Sequence, residues 1–400
     1  MGGVGIALPS GSKLNTTNPA SYAHLDSLTF ILDAGLSGNF GRMTMGNSSK
    51  NVNNANFDYI VAGFRLRKNL GFSFGFRPYS TVDYNYTTTS SEAFRDEITG
   101  DLIRNTTQYT GSGGLHHIFA GVGWKPFSNF SVGTNVGIMW GGYTHYMMQS
   151  FNVGGSNSSD FDGFNFVQQA DVLTYKLDFG LQYAFRVSPQ DWLTVGATVG
   201  IGHQFDGDAT LYRFMTTGDT LQVKGDANAF DLPMTYAGGI AWQHKNNLIV
   251  SADVHYQAWG GCRMPMMDIT DGVVSYPSTN RMYKDNFMLK AGVEYTPDPF
   301  AQKRYKRMKY RAGISYSSPY MRIATGNGAQ SAIQDGPGEM SASLGLGLPI
   351  SNRYGRSTLN IGMQWLRRAP GSASLITENY FVLNLGITFN EHWFLKYKIR

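Results

Sequence analysis

The chain alternates between apolar and polar positions with a two-residue period, most clearly near its C-terminal end. In 381–389, the odd positions are Phe, Leu, Leu, Ile and Phe, and the even positions are Val, Asn, Gly and Thr. The same period recurs in 287–295 and 308–316. Successive strand side chains point to opposite faces, so each segment has one apolar face and one polar or glycine-rich face. Apolar faces with aromatic ends, repeated over most of the chain, predict a transmembrane antiparallel β-barrel with a polar lumen.

The composition supports an all-β membrane protein. Charged residues make up only 15% of the 400 residues, whereas soluble domains average about 25%. The mean hydropathy is nevertheless −0.25, and no run approaches the roughly 18 apolar residues that a membrane helix needs. Because lipid cannot satisfy backbone hydrogen bonds, a sheet that spans the membrane must close on itself.

The alternation, interrupted at Gly, Pro and Asn clusters, predicts about fourteen strands. They are expected near 27–37, 56–66, 69–86, 106–124, 130–148, 167–186, 192–206, 232–244, 247–259, 284–297, 306–317, 338–350, 355–367 and 378–389. The links between them alternate between short and long. This is the pattern of short periplasmic turns and longer extracellular loops. The long links are predicted near 38–55, 87–105, 149–166, 207–231, 260–283 and 318–337.

Three regions follow from this pattern: an N-terminal hatch at 1–26, the barrel at 27–389 and a periplasmic tail at 390–400. Residues 1–26 are glycine-rich and polar and lack the alternation. An even strand number places both chain ends on one side, so this segment is expected to fold into the lumen as a plug; a disordered tail is the alternative. Glycines at inward positions, such as Gly196, Gly200 and Gly202, leave room for it.

Charge and cysteine content exclude several classes of function. The net charge of +5 comes from dispersed or turn-located basic residues, so no nucleic acid is expected as a partner. A single cysteine, Cys262, excludes an intrachain disulfide framework. With Met264, Met266 and Met267 it forms a soft-donor cluster that suits Cu(I), although loop packing or ligand contact is the plainer interpretation. No cofactor or metal is predicted. A secretory signal is expected to have been removed or to precede this numbering.

Short motifs resemble a known family. The opening 2–7, GGVGIA, and then Asn18-Pro19-Ala20-Ser21 resemble the N-terminal hatch of the FadL/TodX-type outer-membrane transporters of hydrophobic compounds. The segment 70–79, LGFSFGFRPY, is similar to the family's glycine-rich third strand with its proline. The end of the chain, 393–400, resembles the tails of Bacteroidetes-type members. The hatch is shorter than is usual in that family.

The resemblance implies passive uptake of hydrophobic small molecules, such as long-chain fatty acids, across the outer membrane of a Gram-negative bacterium. The ligand would leave sideways through a gap at the third strand. The hatch and gate residues would then be Asn18, Pro19, Ala20, Gly75 and Pro78. Pro78 gives an independent reason to expect such a gap, because proline cannot donate a ladder hydrogen bond. A proline at the end of a shortened strand is the alternative.

Two external loops carry apolar clusters of the kind that marks binding sites. In the resembling family these loops form the first hydrophobic ligand groove, and the alternative is that the loops pack on their own aromatic residues. The predicted groove residues are Phe151, Phe161, Phe164, Phe166, Leu211, Phe214 and Met215.

No catalytic residues are predicted, and the protein is not expected to be an enzyme. The inward polar residues of the second half are interpreted as structural pairs or hatch contacts: Asp253, His255, Lys290, Glu294, Lys309 and Arg311. The expected partners are a hydrophobic small molecule and outer-membrane lipid or lipopolysaccharide. The alternative function is an interaction subunit of an outer-membrane secretion or assembly complex, whose partners would be other outer-membrane proteins.

Overall fold

The computed structural model describes most of the chain. The described residues are 1–46, 48–89, 94–95, 102–153, 165–205, 207–214, 220–226, 228–270, 273–325, 332–351, 356–372 and 375–392. Within these ranges, no helix combines the length and the apolar composition needed to cross a membrane.

Fourteen long strands form one closed antiparallel sheet, so the predicted fold class is confirmed. The strands are β1 Thr29–Met45, β2 Ser48–Arg67, β3 Leu70–Thr89, β4 Leu102–Phe127, β5 Phe130–Val153, β6 Asn165–Ser188, β7 Asp191–Gly200, β8 Thr235–His244, β9 Leu248–Gln257, β10 Asn286–Tyr295, β11 Lys309–Ser317, β12 Gly338–Ser351, β13 Arg356–Ala369 and β14 Thr377–His392. Each pairs with the next along the chain, and β1 pairs with β14 from Thr29–His392 to Thr44–Thr377. This last pairing closes the barrel.

The two faces of the sheet are those that the alternation predicts. Phe381 and Leu385 of β14 are exposed on the outer surface, whereas Thr388 and Asn390 of the same strand are buried on the inner side. Aromatic side chains stand exposed at the short-turn end, including Trp124 and Phe127. Trp393 and Phe394, which follow β14 in the sequence, lie outside the described residues. A broad apolar belt with aromatic ends matches a bilayer-spanning wall.

The first two strands are longer than the sequence predicts, because 38–55 is not a loop. The β1–β2 ladder continues to the pair Met45–Ser48. Across it, Asn39 Nδ2 donates to Asn54 Oδ1 at 2.9 Å. The polar composition of this stretch therefore marks strands that face water or the lumen, and not a loss of strand pairing. The predicted loops 87–105 and 149–166 are shortened in the same way.

Outside the fourteen barrel strands, the described part of the chain contains short elements. Three are 3-10 helices, one in the N-terminal segment at Pro19–His24 and two in connections at Trp259–Gly261 and Arg304–Arg307. The others are short strands at Phe94–Arg95, His203–Phe205, Thr210–Phe214, Thr220–Lys224, Phe230–Leu232, Met264–Pro265, Asp268–Thr270, Val273–Ser275, Ser278–Thr279, Arg322–Thr325 and Ala332–Asp335. At the long-loop end, the beginning of β6 and the connections after β7 and β9 share a small apolar core around Leu211, Val274 and Tyr276.

A line of glycines crosses β4 and β5. Gly113, Gly114 and Gly141 have φ values of +118°, +150° and +140°, a region that residues with a Cβ rarely occupy. A Cβ on Gly141 would lie 2.2 Å from the carbonyl oxygen of Gly114 on the paired strand. In β3, a register shift between Pro78 and Ser80 occurs at the neighbouring position of the same sheet. Backbone irregularities are thus aligned across three adjacent strands.

We predict that Gly141→Val destabilises the barrel, because the valine would be strained and would meet backbone. The expected loss is about 3 kcal/mol in the free energy of unfolding, measured by urea titration of the folded, heat-modifiable form. The matched control is Gly238→Val on β8, where a Cβ meets nothing within 4 Å. Equal stability of the two variants would contradict the role assigned to the glycine line.

Candidate functional site

The wall of the barrel is incompletely paired between β2 and β3. Their mutual ladder runs only from Arg67–Leu70 to Ile60–Phe76. Beyond that point β2 still pairs with β1, and β3 still pairs with β4 up to Thr89. No pairing joins 48–59 of β2 to 77–89 of β3 among the described residues. We call this gap the seam.

Irregular backbone stands at the base of the seam on both sides. On β3, Pro78 has no N–H to donate, and the register shift leaves Tyr79 without an opposite residue on β4. On β2, the shift between Gly35 and Leu36 of β1 leaves Asp58 as the extra residue. Bulges increase the local twist of a strand, and these two lie next to the point where the β2–β3 pairing ends.

The predicted gate residues lie at this base. Gly75 pairs with Val61, next to the last pair of the ladder, and its missing Cβ would lie 2.5 Å from Val61 Cγ1. Pro78 follows two residues beyond the last paired residue, Phe76. Between them, Arg77 donates to His117 Nδ1 at 3.4 Å and covers the ring of Phe119. The sequence analysis missed Arg77, although it continues the inward series Gly71, Ser73 and Gly75.

A polar cavity opens onto the seam. Its volume is about 690 Å³, and it is lined by Asn54 and Asn56 of β2, by 78–84 of β3, by Arg368 of β13 and by Glu378 of β14. Arg368 Nε donates to Glu339 at 2.9 Å and its Nη1 to Glu378 at 3.5 Å. Two further cavities of about 490 and 360 Å³ lie against the N-terminal segment, and Tyr59 and Arg311 line both of them.

A fourth cavity is apolar and lies on the lipid-facing side of the wall. It measures about 600 Å³ below the seam, where β2, β3, β4 and β5 run side by side. Exposed apolar side chains line it, among them Ile60, Phe74 and Ile138. Charged and polar side chains therefore form part of the lining of each luminal cavity, whereas apolar side chains line the cavity on the membrane side.

The N-terminal segment lies against the inner wall of the barrel. Asp253 Oδ2 on β9 accepts hydrogen bonds from the backbone N–H groups of Gly5 and Ile6, at 2.6 and 3.1 Å. Gln182 on β6 donates to the carbonyl of Ile6 at 2.9 Å. These bonds satisfy backbone groups of a segment that has little regular structure of its own.

The predicted hatch motif forms a capped 3-10 turn. Asn18 Oδ1 accepts from the N–H of Ala20 at 3.0 Å, and Pro19 begins the turn Pro19–His24. Asn18 Nδ2 donates to the carbonyl of Ile6 at 2.8 Å. Tyr22 is fully buried. Burial lowers the pKa of His24 to about 4, so this imidazole is neutral at physiological pH.

Inward glycines give this segment its space. At each of the following positions, an added Cβ would lie within 3 Å of an atom of residues 1–23: Gly71, Gly123, Gly133, Gly180, Gly196, Gly239, Gly292 and Gly313. Gly200 and Gly202, which the sequence analysis grouped with Gly196, instead face Thr235 and Met234.

Most of the predicted inward charged residues form ion pairs with one another or hydrogen bonds with the N-terminal segment. Glu294 accepts from Arg311 Nε at 2.7 Å and from Lys13 Nζ at 3.2 Å. Asp253 holds Gly5 and Ile6, as described above. In the described part of the chain, no three His, Cys, Asp or Glu side chains form a metal-binding group. Cys262 is buried in its loop, and burial raises the pKa of its thiol to about 11.

The predicted ligand-groove residues are only partly described. Phe161, Phe164 and Met215 lie outside the described residues. Phe166 and Leu211 are buried in the apolar core of the external loops. Phe214 is exposed and Phe151 is half-buried. A groove lined by all seven residues stays a prediction.

Comparison with known proteins identifies the class of this barrel. Three solved structures resemble it over nearly their whole length: the P. putida toluene transporter TodX (15% identity, 99% of this chain and 100% of that chain, TM-score 0.61), the Ralstonia pickettii toluene transporter TbuX (17%, 98% and 96%, 0.57) and a Pseudomonas aeruginosa FadL homologue (12%, 96% and 99%, 0.59). The fold is that of the FadL/TodX-type transmembrane barrels, as the sequence motifs suggested.

A family model identifies the chain more closely. The BamG model matches residues 1–400, and the protein belongs to the BamG family. No match was found among curated proteins.

We predict that Asp253→Ala loosens the N-terminal segment, because two backbone N–H groups lose a charged acceptor. Each such bond contributes about 1.5–3 kcal/mol. A Ser10→Cys reporter, placed in a Cys262→Ala background, should then react with a maleimide at least about tenfold faster. Asp83→Ala, on the exposed part of β3, is the control and should leave the rate unchanged. Slow labelling in both variants would show that Asp253 does not hold the segment.

Proposed function

We propose that this protein is a non-enzymatic interaction subunit of an outer-membrane protein assembly complex. The observation that carries the proposal is the match of the whole chain to the BamG family, which points to interaction with other outer-membrane proteins. The transmembrane barrel would anchor the subunit in the outer membrane of a Gram-negative bacterium. Its partners would then be other outer-membrane proteins.

The polarity of the interior supports an anchoring role more than a hydrophobic passage. Arg311, Lys290 and Glu339 line one luminal cavity, and Arg368 and Glu378 line the one at the seam. Entry of a hydrophobic solute into such a lining is unfavourable, because the solute would separate the charged side chains from water. The N-terminal segment, proposed as a hatch, adds polar backbone to the same lumen.

The external loops support the same role. They carry a buried core of their own, in which Phe166, Leu211 and Tyr276 pack together. Such a core holds an extracellular surface in a defined shape, and a rigid surface loses less entropy when a partner binds.

The proposal predicts stoichiometric outer-membrane partners. The tagged wild-type protein, purified in mild detergent, should carry them through size-exclusion chromatography. Its depletion should lower the amounts of other folded, heat-modifiable barrels without changing the uptake of long-chain fatty acids or toluene. A barrel that purifies alone, and whose depletion leaves other barrels at their normal amounts, would contradict the proposal.

A second candidate is passive uptake of a hydrophobic small molecule, and the seam favours it. The gap at Pro78 would provide a lateral exit from the lumen, and the apolar cavity below it would receive the ligand on the membrane side. The fold that the chain shares with toluene transporters agrees with this candidate. Capture would take place at aromatic side chains of the external end, such as Phe151 and Phe214.

The uptake candidate makes its own prediction. Phe151→Asp combined with Phe214→Asp should weaken ligand binding by roughly two orders of magnitude, since each lost apolar contact contributes about 1.5–3 kcal/mol. The measurement is binding of radiolabelled fatty acid and toluene to purified protein. Phe300→Asp is the control, because Phe300 is exposed in the connection at the opposite end of the barrel. Undiminished binding by the double variant would discard the groove.

A further inference from the structure

We propose that the β2 edge of the seam binds an extended polypeptide segment of an outer-membrane partner by adding it as a β-strand. The inference rests on the proposed function and specifies the partner's chemistry. Its starting point is the row of backbone groups that 48–59 presents to the seam.

The β2 edge is long and regular. From Ser48 to Phe57 every residue pairs with β1, so alternate residues direct their N–H and C=O groups to the other side. On that side, the described residues offer no strand partner. Such an edge is a template for another strand.

The edge also lacks the features that usually protect free edges. Proteins block them with charges, prolines or short strands. Between Ser48 and Tyr59 the chain has no proline, and its charged residues are only Lys50 and Asp58. Asp58 is engaged by the hydroxyl of Ser37 at 2.7 Å. Most of the rest is Asn, Ser, Ala or Val, which an incoming strand can pack beside.

The depth of the seam favours a peptide over a hydrocarbon. Phe57 pairs with Leu36, whose other neighbour is Leu385 in the middle of the apolar belt. At that depth lipid offers no hydrogen bond to the free amides, and neither does a hydrocarbon ligand. A backbone strand supplies a donor and an acceptor at every second residue.

The β3 edge is a poorer template. Pro78 lacks a donor, and the bulge at Tyr79 interrupts the spacing of the groups above it. In addition, β2 and β3 are antiparallel, so one strand that is antiparallel to β2 would run parallel to β3. Antiparallel pairing is slightly more stable per residue, and we therefore assign the partner to β2.

The side chains along β2 define what the partner must present. Asn54 and Asn56 line the luminal cavity, whereas Phe57 is exposed on the lipid side. The added strand should therefore place polar residues towards the lumen and apolar residues towards lipid where it enters the bilayer. This is the alternation of another barrel strand or of a segment about to become one.

Photocrosslinking tests the inference. p-Benzoylphenylalanine is introduced separately at Asn54 and Asn56, with Asn384 of β14 as the control. Asn384 also lines a luminal cavity, but its strand is paired on both sides. After irradiation of whole cells, adducts should be at least about tenfold more abundant at the two β2 positions. Mass spectrometry should place them two residues apart in the partner and in reversed order, as antiparallel pairing requires.

Amide hydrogen exchange of the unmodified protein provides a second measurement. In the purified complex, alternate amides of 48–59 should exchange at least about tenfold more slowly than in the isolated barrel. The exchange rates of the β13 amides should be the same in both.

Photocrosslinks formed only with lipid would overturn strand docking in favour of a lateral exit for hydrophobic molecules. Unprotected seam amides in an intact complex would overturn the docking site alone. A protein with no partners at all would remove the proposed function as well.

Discussion

The closed ladder of backbone hydrogen bonds is the constraint on which this structure depends. In the hydrocarbon region an unpaired N–H or C=O group costs several kcal/mol, so a membrane-spanning sheet must return to its own first strand. Here β1 meets β14 over sixteen successive pairs. The apolar outer belt and the polar interior both follow from this closure. A closed wall separates lipid from the lumen, and successive side chains of each strand point alternately to one and to the other. At the seam, part of the ladder between β2 and β3 is missing.

The N-terminal segment occupies part of the lumen of the barrel. Its backbone is mostly irregular, so its amide groups need partners from the wall. Asp253 and Gln182 supply such partners, and glycines on many strands let the segment approach the wall closely. Charged residues such as Glu294 and Arg311 are retained in the interior because they are paired. Wall and segment thus stabilise each other.

One barrel architecture can serve more than one function. The same fold is found in toluene transporters, with which this chain shares 15–17% identity. Function has to be inferred from particular residues. In this protein the luminal cavities are lined in part by charged side chains, and the cavity lined by apolar side chains faces the membrane. The most distinctive feature of the wall, in the part of the chain that the structure describes, is the unpaired edge of β2. Such an edge can form backbone hydrogen bonds with another strand.

Much of the fold could be predicted because successive side chains of a barrel strand alternate between two environments, lipid and lumen. The alternation at 381–389 records lipid on one side and lumen on the other, and it suffices to predict a barrel and about fourteen strands. Pro78 pointed to a weak place in the third strand because proline lacks a donor. The Asn-rich stretch 48–55 was wrongly predicted to be part of a loop, because the polarity of side chains reports their surroundings and not whether the backbone is paired. The roles of Arg77 and Asn54 likewise depended on the register between strands distant in sequence. Pairing between residues that are distant in sequence decides this register, and therefore which strand edge stays free. A local sequence pattern contains no information about such pairing.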